Sequence, residues 1–143
     1  VAADEDLGYL PGDGGSKMEP WAIPMLEFIE KYLTHNQVQS RVHIEPLGFM
    51  RGRTFDNTFV IADEMQNSTP NQMKMLLTRL GENSKMVVLG DLQQSDLQTR
   101  NGLEDIIDRI DCVEMDHVEY VDMSEDDVLR HPAVSEILTV YRN

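Results

Sequence analysis

Apolar residues fall in two short unbroken runs, Phe59-Val60-Ile61-Ala62 and Met86-Val87-Val88-Leu89, and each closes in an acidic turn, Asp63-Glu64 and Gly90-Asp91. A β-branched and aliphatic run with no polar alternation predicts a strand buried on both faces, as in a parallel sheet. Between the runs, Thr69-Pro70-Asn71-Gln72 predicts a helix start: Thr69 caps, Pro70 takes the first helical position and Gln72 completes a capping box. Met73, Leu76, Leu77 and Leu80 then give the buried stripe, and Gly81 ends the helix. Phe59 to Leu89 is thus a strand–helix–strand unit of about 30 residues, with a right-handed crossover expected.

The rest of the chain has weaker patterning. Val1 to Lys17 is rich in Gly and Asp and reads as a loop. From Pro20, the spacing of Trp21, Met25, Phe28, Ile29 and Leu33 predicts a helix, kinked or delayed by Pro24. Val42 to Leu47 alternates and predicts a short strand ahead of the basic loop Met50-Arg51-Gly52-Arg53-Thr54. Asn101 to Ile110 predicts a helix with Leu103, Ile106, Ile107 and Ile110 inward. Val118 to Met123 reads as a strand. Ser124 caps an acidic turn of Glu125, Asp126 and Asp127, and Pro132 starts a last helix through Val134, Ile137, Leu138 and Tyr141. The alternation predicts an α/β fold with a sheet of three to four strands.

At 143 residues, with 41% apolar and 27% charged positions, the chain has the size and composition of a single globular domain. No apolar stretch approaches the roughly 20 residues a membrane span requires. Cys112 is the only cysteine, so no intramolecular disulfide forms, a reducing cytoplasm is the expected setting, and the thiol reads as a small buried hydrophobe. The net charge of −14 disfavours broad, nonspecific attraction to nucleic acid but leaves room for a local basic track. His35, His43, His117 and His131 show no metal-ligand spacing with each other or with Cys112. His131 is expected to shape the turn before Pro132, and Met73 and Met75 to fill core.

Ligands of parallel sheets sit beyond the carboxyl ends of the strands, where both acidic turns fall. An Asp closing a buried strand suits Mg²⁺, which prefers oxygen ligands and keeps several waters. The adjacent Glu, directed the other way along the pleat, can take a proton from an attacking water. Asp63 and Glu64 fit those roles, although an isolated Asp-Glu more often just begins a loop. Gln66 and Gln94 follow the two turns, and neutral amides there can report a terminal phosphate without adding repulsion.

The stretch GFMRGRTFDNTFVIADEMQNSTPNQMKMLLTRLGENSKMVVLGDLQQSDL resembles the PhoH-like family of P-loop ATPases, which is related to the nucleotide-binding core of superfamily-one helicases. The resemblance continues through Asn101-Gly102-Leu103 to Leu129-Arg130-His131-Pro132, and back to Gly8-Tyr9-Leu10-Pro11-Gly12-Asp13. It implies a RecA-like parallel sheet flanked by helices and incomplete here, with residues 1–17 a loop and 18–143 the α/β core. It further implies ATP and Mg²⁺ as ligands, and RNA or single-stranded DNA as a coupled partner. Asp63 and Glu64 would be the Walker B pair, with Asp63 serving the metal and Glu64 catalytic. Gln66 would belong to the DExQ motif, and Gly90, Asp91 and Gln94 to the phosphate-sensing GDxxQ motif. Met65 stands where the family usually has Ala. Arg51 and Arg53 match the family's MRGRT string, and with Arg130 they are candidates to neutralise charge on the transferred phosphoryl group.

The family's phosphate loop, G-x-x-x-x-G-K-[ST], is absent; Gly12-Asp13-Gly14-Gly15-Ser16-Lys17 lacks its spacing and follows no strand. The chain is therefore expected to be the C-terminal part of such an ATPase, binding ATP weakly or not at all alone, and to expose a sheet edge that favours homo-oligomers. Two other readings stay open. One is a Mg²⁺-dependent nuclease using Asp63, Glu64 and Asp91; the other is a non-catalytic remnant that pairs with a chain supplying the phosphate loop.

Overall fold

The computed structural model describes residues 14–124, 127, 129 and 131–141. The Gly8-to-Asp13 string, Glu125, Asp126 and Arg130 lie outside them. The chain divides into two units, Val1–Cys112 and Val113–Asn143. It is an α/β protein with a small parallel sheet. In chain order the described elements are α1 (Gly14–Ile29), α2 (His35–Arg41), β1 (Phe59–Ala62), α3 (Pro70–Leu77), β2 (Lys85–Val88), α4 (Gly102–Ile110) and α5 (Pro132–Tyr141). No helix among the described residues is long and apolar enough to cross a membrane.

The strand–helix–strand unit forms as its patterning requires. β1 pairs β2 in parallel, with Phe59 opposite Lys85 and Ala62 opposite Val88. Thr69 caps α3 through the Gln72 N–H, while the Gln72 side chain accepts from the Thr69 N–H at 2.8 Å. The inner sheet face carries Ala62, Met86 and Val88 onto a cluster of Leu47, Met50, Met65, Met73 and Leu76, with Leu103 and Ile106 of α4 beside it. Full burial of each large side chain contributes about 1.5–3 kcal/mol.

Other elements depart from their patterns. The helix expected from Pro20 begins at Gly14, so residues 14–17 are helical rather than loop, and Pro20 and Pro24 both lie inside α1. Val42–Pro46 forms no strand but runs into a 3₁₀ turn, Leu47–Met50, whose Leu47 and Met50 enter the core. Val118–Met123 is irregular and exposed; a strand needs a partner ladder, and none among the described residues pairs with it. The sheet has two strands among the described residues, not three or four. Its outer face is bare: Phe59 is 61% and Ile61 42% exposed, so β1 is buried on one face only. Leu80 is likewise exposed, and α3 ends at Leu77, four residues before Gly81. Gly81 instead lets the chain pass against Phe55 and Asp56, whose oxygens a Cβ there would strike. Cys112 is an exposed free thiol rather than a buried hydrophobe. His131 does shape its turn, accepting from the Ala133 N–H at 3.2 Å.

α2 and α4 open with the same reciprocal box as α3, built from Thr34 with Gln37 and from Asn101 with Glu104. Asn101 is buried, Thr34 exposed. Losing a buried cap orphans the Glu104 N–H away from water. Asn101→Ala is therefore expected to cost about 2 kcal/mol and Thr34→Ala under about 1, compared by urea denaturation. Equal losses would show that burial does not matter here.

On α4, hydrogen bonds from Arg109 hold the Asp105 carboxyl below the usual carboxylate range, with the charges of Arg109 and Arg100 adding to the effect against desolvation. A lowered folded-state value stabilises the protein above the unfolded carboxylate range, and the gain is lost as pH falls through the folded one. Asp105→Asn should lower stability at neutral pH, the gap to wild type closing in acid; pH-dependent denaturation curves running parallel would contradict this.

Candidate functional site

The parallel pair brings both acidic turns to the carboxyl end of the sheet. The Leu89 N–H donates to the Ala62 carbonyl at 2.8 Å, and the Met65 N–H donates to the Leu89 carbonyl at 3.0 Å. The ladder so continues past both strands and fixes the turns side by side. Glu64, between those bonds, takes the left-handed conformation, φ 58° and ψ 33°. That costs a residue with a Cβ about 1–2 kcal/mol. Two contacts hold it there: Asp63 Oδ1 accepts the Glu64 N–H at 3.0 Å, and the Met65 side chain behind it is 1% exposed. This turn, rather than strand pleating, sets the direction of the Glu64 carboxylate, which is exposed.

Gln66 is 2% exposed, and both ends of its amide have partners within the chain. Its Nε2 donates to Glu64 Oε2 at 2.7 Å, and its Oε1 accepts from the Asp91 N–H at 3.3 Å. One buried carboxamide thus joins the two acidic turns. Gly90 makes room for it, because a Cβ there would lie 2.7 Å from Gln66 Oε1 and 2.8 Å from Leu103 Cδ2. Asp91 faces solvent, with Oδ1 accepting from the Gln93 N–H at 2.9 Å and Oδ2 from Gln94 Nε2 at 2.6 Å. Gln94 is exposed and is held by Asp91.

Two further residues complete the arrangement. Ser95 Oγ donates to the Gln66 carbonyl at 2.9 Å, and Asn67 Oδ1 accepts from the Asp96 N–H at 2.9 Å. Each bond spans 29 residues, so in the sequence both side chains look like ordinary turn formers. The Gly102 N–H donates to the Ser68 carbonyl and seats the start of α4 on the same turn.

Asp63, Glu64, Gln66, Gly90, Asp91 and Gln94 are therefore one group. No ion pair among the described residues involves its three acids. Asp63 keeps one oxygen free of hydrogen-bond partners among the described residues, a hard donor suited to Mg²⁺. No three His, Cys, Asp or Glu residues among those described converge to hold a metal by themselves. The arginines stand elsewhere. Phe55 pairs with the Arg79-to-Gly81 segment ahead of β2, which puts the 51–53 loop at the amino end of the sheet. There Arg53 Nη1 meets Glu45 Oε1 at 2.9 Å, and Arg51 is exposed.

A family model described as PhoH-like protein matches residues 1–142. A PhoH-like protein of Bacillus subtilis is 40% identical over 151 residues, covering 99% of this chain and 46% of its own length. Protein PhoH of Escherichia coli is 41% identical over 150 residues, covering 99% and 42%. A PhoH-like protein of Synechocystis is 38% identical over 148 residues, covering 99% and 44%. The chain belongs to the PhoH-like family, and it spans less than half the length of these relatives.

The Gln66 bridge has a direct test. Gly90→Ala should push the carboxamide off Glu64 and Asp91, lowering stability by about 1–3 kcal/mol in urea and abolishing slow exchange of the Gln66 side-chain amide in NMR. An unchanged amide signal would mean that the two turns are not joined through Gln66.

Proposed function

We propose that the chain carries the hydrolytic and phosphate-sensing part of an ATP-hydrolysing P-loop domain of RecA-like type, related to superfamily-one helicases and coupled to RNA or single-stranded DNA. The observation that supports it best is the buried Gln66 carboxamide between Glu64 and the Asp91 turn. A hydrolase needs its base and its sensor to move as one unit, and this amide ties them. Glu64 accepts the proton of the attacking water, and the γ-phosphorus gains that oxygen as its bond to the β-phosphate oxygen breaks. Asp63 would hold Mg²⁺ through its water shell, where the ion would supply charge neutralisation for the phosphate oxygens. Asp91 and Gln94 face solvent together, where a terminal phosphate can displace their mutual hydrogen bond.

Polypeptide outside the chain supplies the phosphate-gripping loop. The absent G-x-x-x-x-G-K-[ST] string and the bare outer sheet face at Phe59 and Ile61 both support this. The exposed thiol of Cys112 suits a reducing cytoplasm. The second reading, a Mg²⁺-dependent nuclease using Asp63, Glu64 and Asp91, has less to support it, because it gives the Gln66 and Gln94 amides no role.

In the full-length protein, Glu64→Gln should lower ATP turnover at least about a hundredfold while leaving ATP affinity within about twofold, by phosphate release and equilibrium binding. Turnover retained in that variant would remove Glu64 from the mechanism.

A further inference from the structure

We infer that the loop Gly48–Arg53 is the contact for single-stranded nucleic acid, with Phe49 as a stacking platform and Arg51 and Arg53 as phosphate contacts. The inference rests on the nucleic-acid coupling proposed above and assigns it a surface. Phe49 is 60% exposed although both its neighbours in the core, Leu47 and Met50, are almost wholly buried. Burial of Leu47 and Met50 anchors the 3₁₀ turn, so the ring is presented on a fixed support. Gly52 follows at φ 82°, a left-handed position that separates the two arginines and turns the chain between them. Arg51 has no hydrogen-bond or ion-pair partner among the described residues. Arg53 is half exposed and steadied by Glu45, and its carbonyl accepts from Arg79 Nη1 at 3.5 Å, which adds a third cation nearby.

Arg51, Arg53 and Arg79 bring three cations to one region of a chain of net charge −14, with Glu45 paired to Arg53, and such a local group favours a polyanion. An exposed aromatic ring on the same loop as such cations fits the chemistry of a flexible strand, whose bases have free faces and whose phosphates repeat along it. A paired duplex hides those faces. The alternative ligand is the nucleotide of a neighbouring copy, to which the arginines would reach in trans. Phe49 favours the strand, since neutralising a phosphoryl group needs no exposed ring.

The test is fluorescence anisotropy of labelled oligo(U) and oligo(dT) on the full-length protein across a salt series. Phe49→Ala should weaken binding roughly tenfold without changing the salt slope. Arg51→Ala should reduce the magnitude of the log–log slope by about 0.7, the value for one phosphate on a single strand. Oligo(U) and oligo(dT) distinguish RNA from DNA as the ligand, and either one bound through the loop supports the inference. If the wild type binds neither, the nucleic-acid coupling itself fails. If the wild type binds and both variants bind as tightly with an unchanged slope, only the loop assignment is overturned. Unchanged oligonucleotide binding with lowered ATP turnover, dependent on protein concentration, would instead place the arginines in a neighbouring copy's site.

Discussion

One buried amide holds the site together. The Gln66 carboxamide spends a donor on the Glu64 carboxylate and its acceptor on the Asp91 N–H, and almost none of it reaches water. Inside a protein such bonds are stronger than in water, and an orphaned partner is correspondingly costly. Neither acidic turn can shift without breaking a bond that no solvent molecule readily replaces. The strained Glu64 backbone persists for the same reason: the ladder bond from Met65, the Asp63 side chain and Gln66 all fix it from different directions. Strain of this kind persists only where the surroundings over-determine it, and it fixes the direction of the Glu64 carboxylate.

The same turn organises the packing. Met65 is driven into the cluster that receives Met73 and Leu76 from α3, and Ser68 takes the first amide of α4. The hydrophobic core and the polar site are therefore built on consecutive residues, 65 to 68. Any change that loosens the core there also loosens the acids.

Much of this is visible in the chain itself, and the division follows the range of the forces involved. The Thr69 box and the helical stripe of α4 depend on neighbours within four residues, so their patterns suffice. The Thr34-to-Gln37 box carries an equally local signature. Val42–Leu47 and Val118–Met123 alternate as strands do, but alternation supplies only one side of a ladder, and no ladder forms along either among the described residues. β1 has a run suited to burial on two faces, yet a covering layer is decided by other segments. Gln66 shows the limit most clearly. An amide in a turn is ordinarily exposed, and only a contact with a residue 25 positions away buries it.

The sheet also separates opposite charges. Asp63, Glu64 and Asp91 lie at its carboxyl end, and Arg51, Arg53 and Arg79 at its amino end. Exposed charges farther apart than the Debye length, about 8 Å at physiological salt, scarcely feel one another. On the proposed reading, a nucleotide meeting the acidic turns gains little from Arg51, Arg53 and Arg79 and is repelled by three carboxylates. On that reading its approach would become favourable with a divalent cation that the free oxygen of Asp63 could serve, and with cationic groups to grip the phosphates. The arginine loop lies away from those acids and has Glu45 as its acidic neighbour. If both proposals hold, the two anionic ligands meet opposite ends of one sheet, with α3 and the strands as the connection between them.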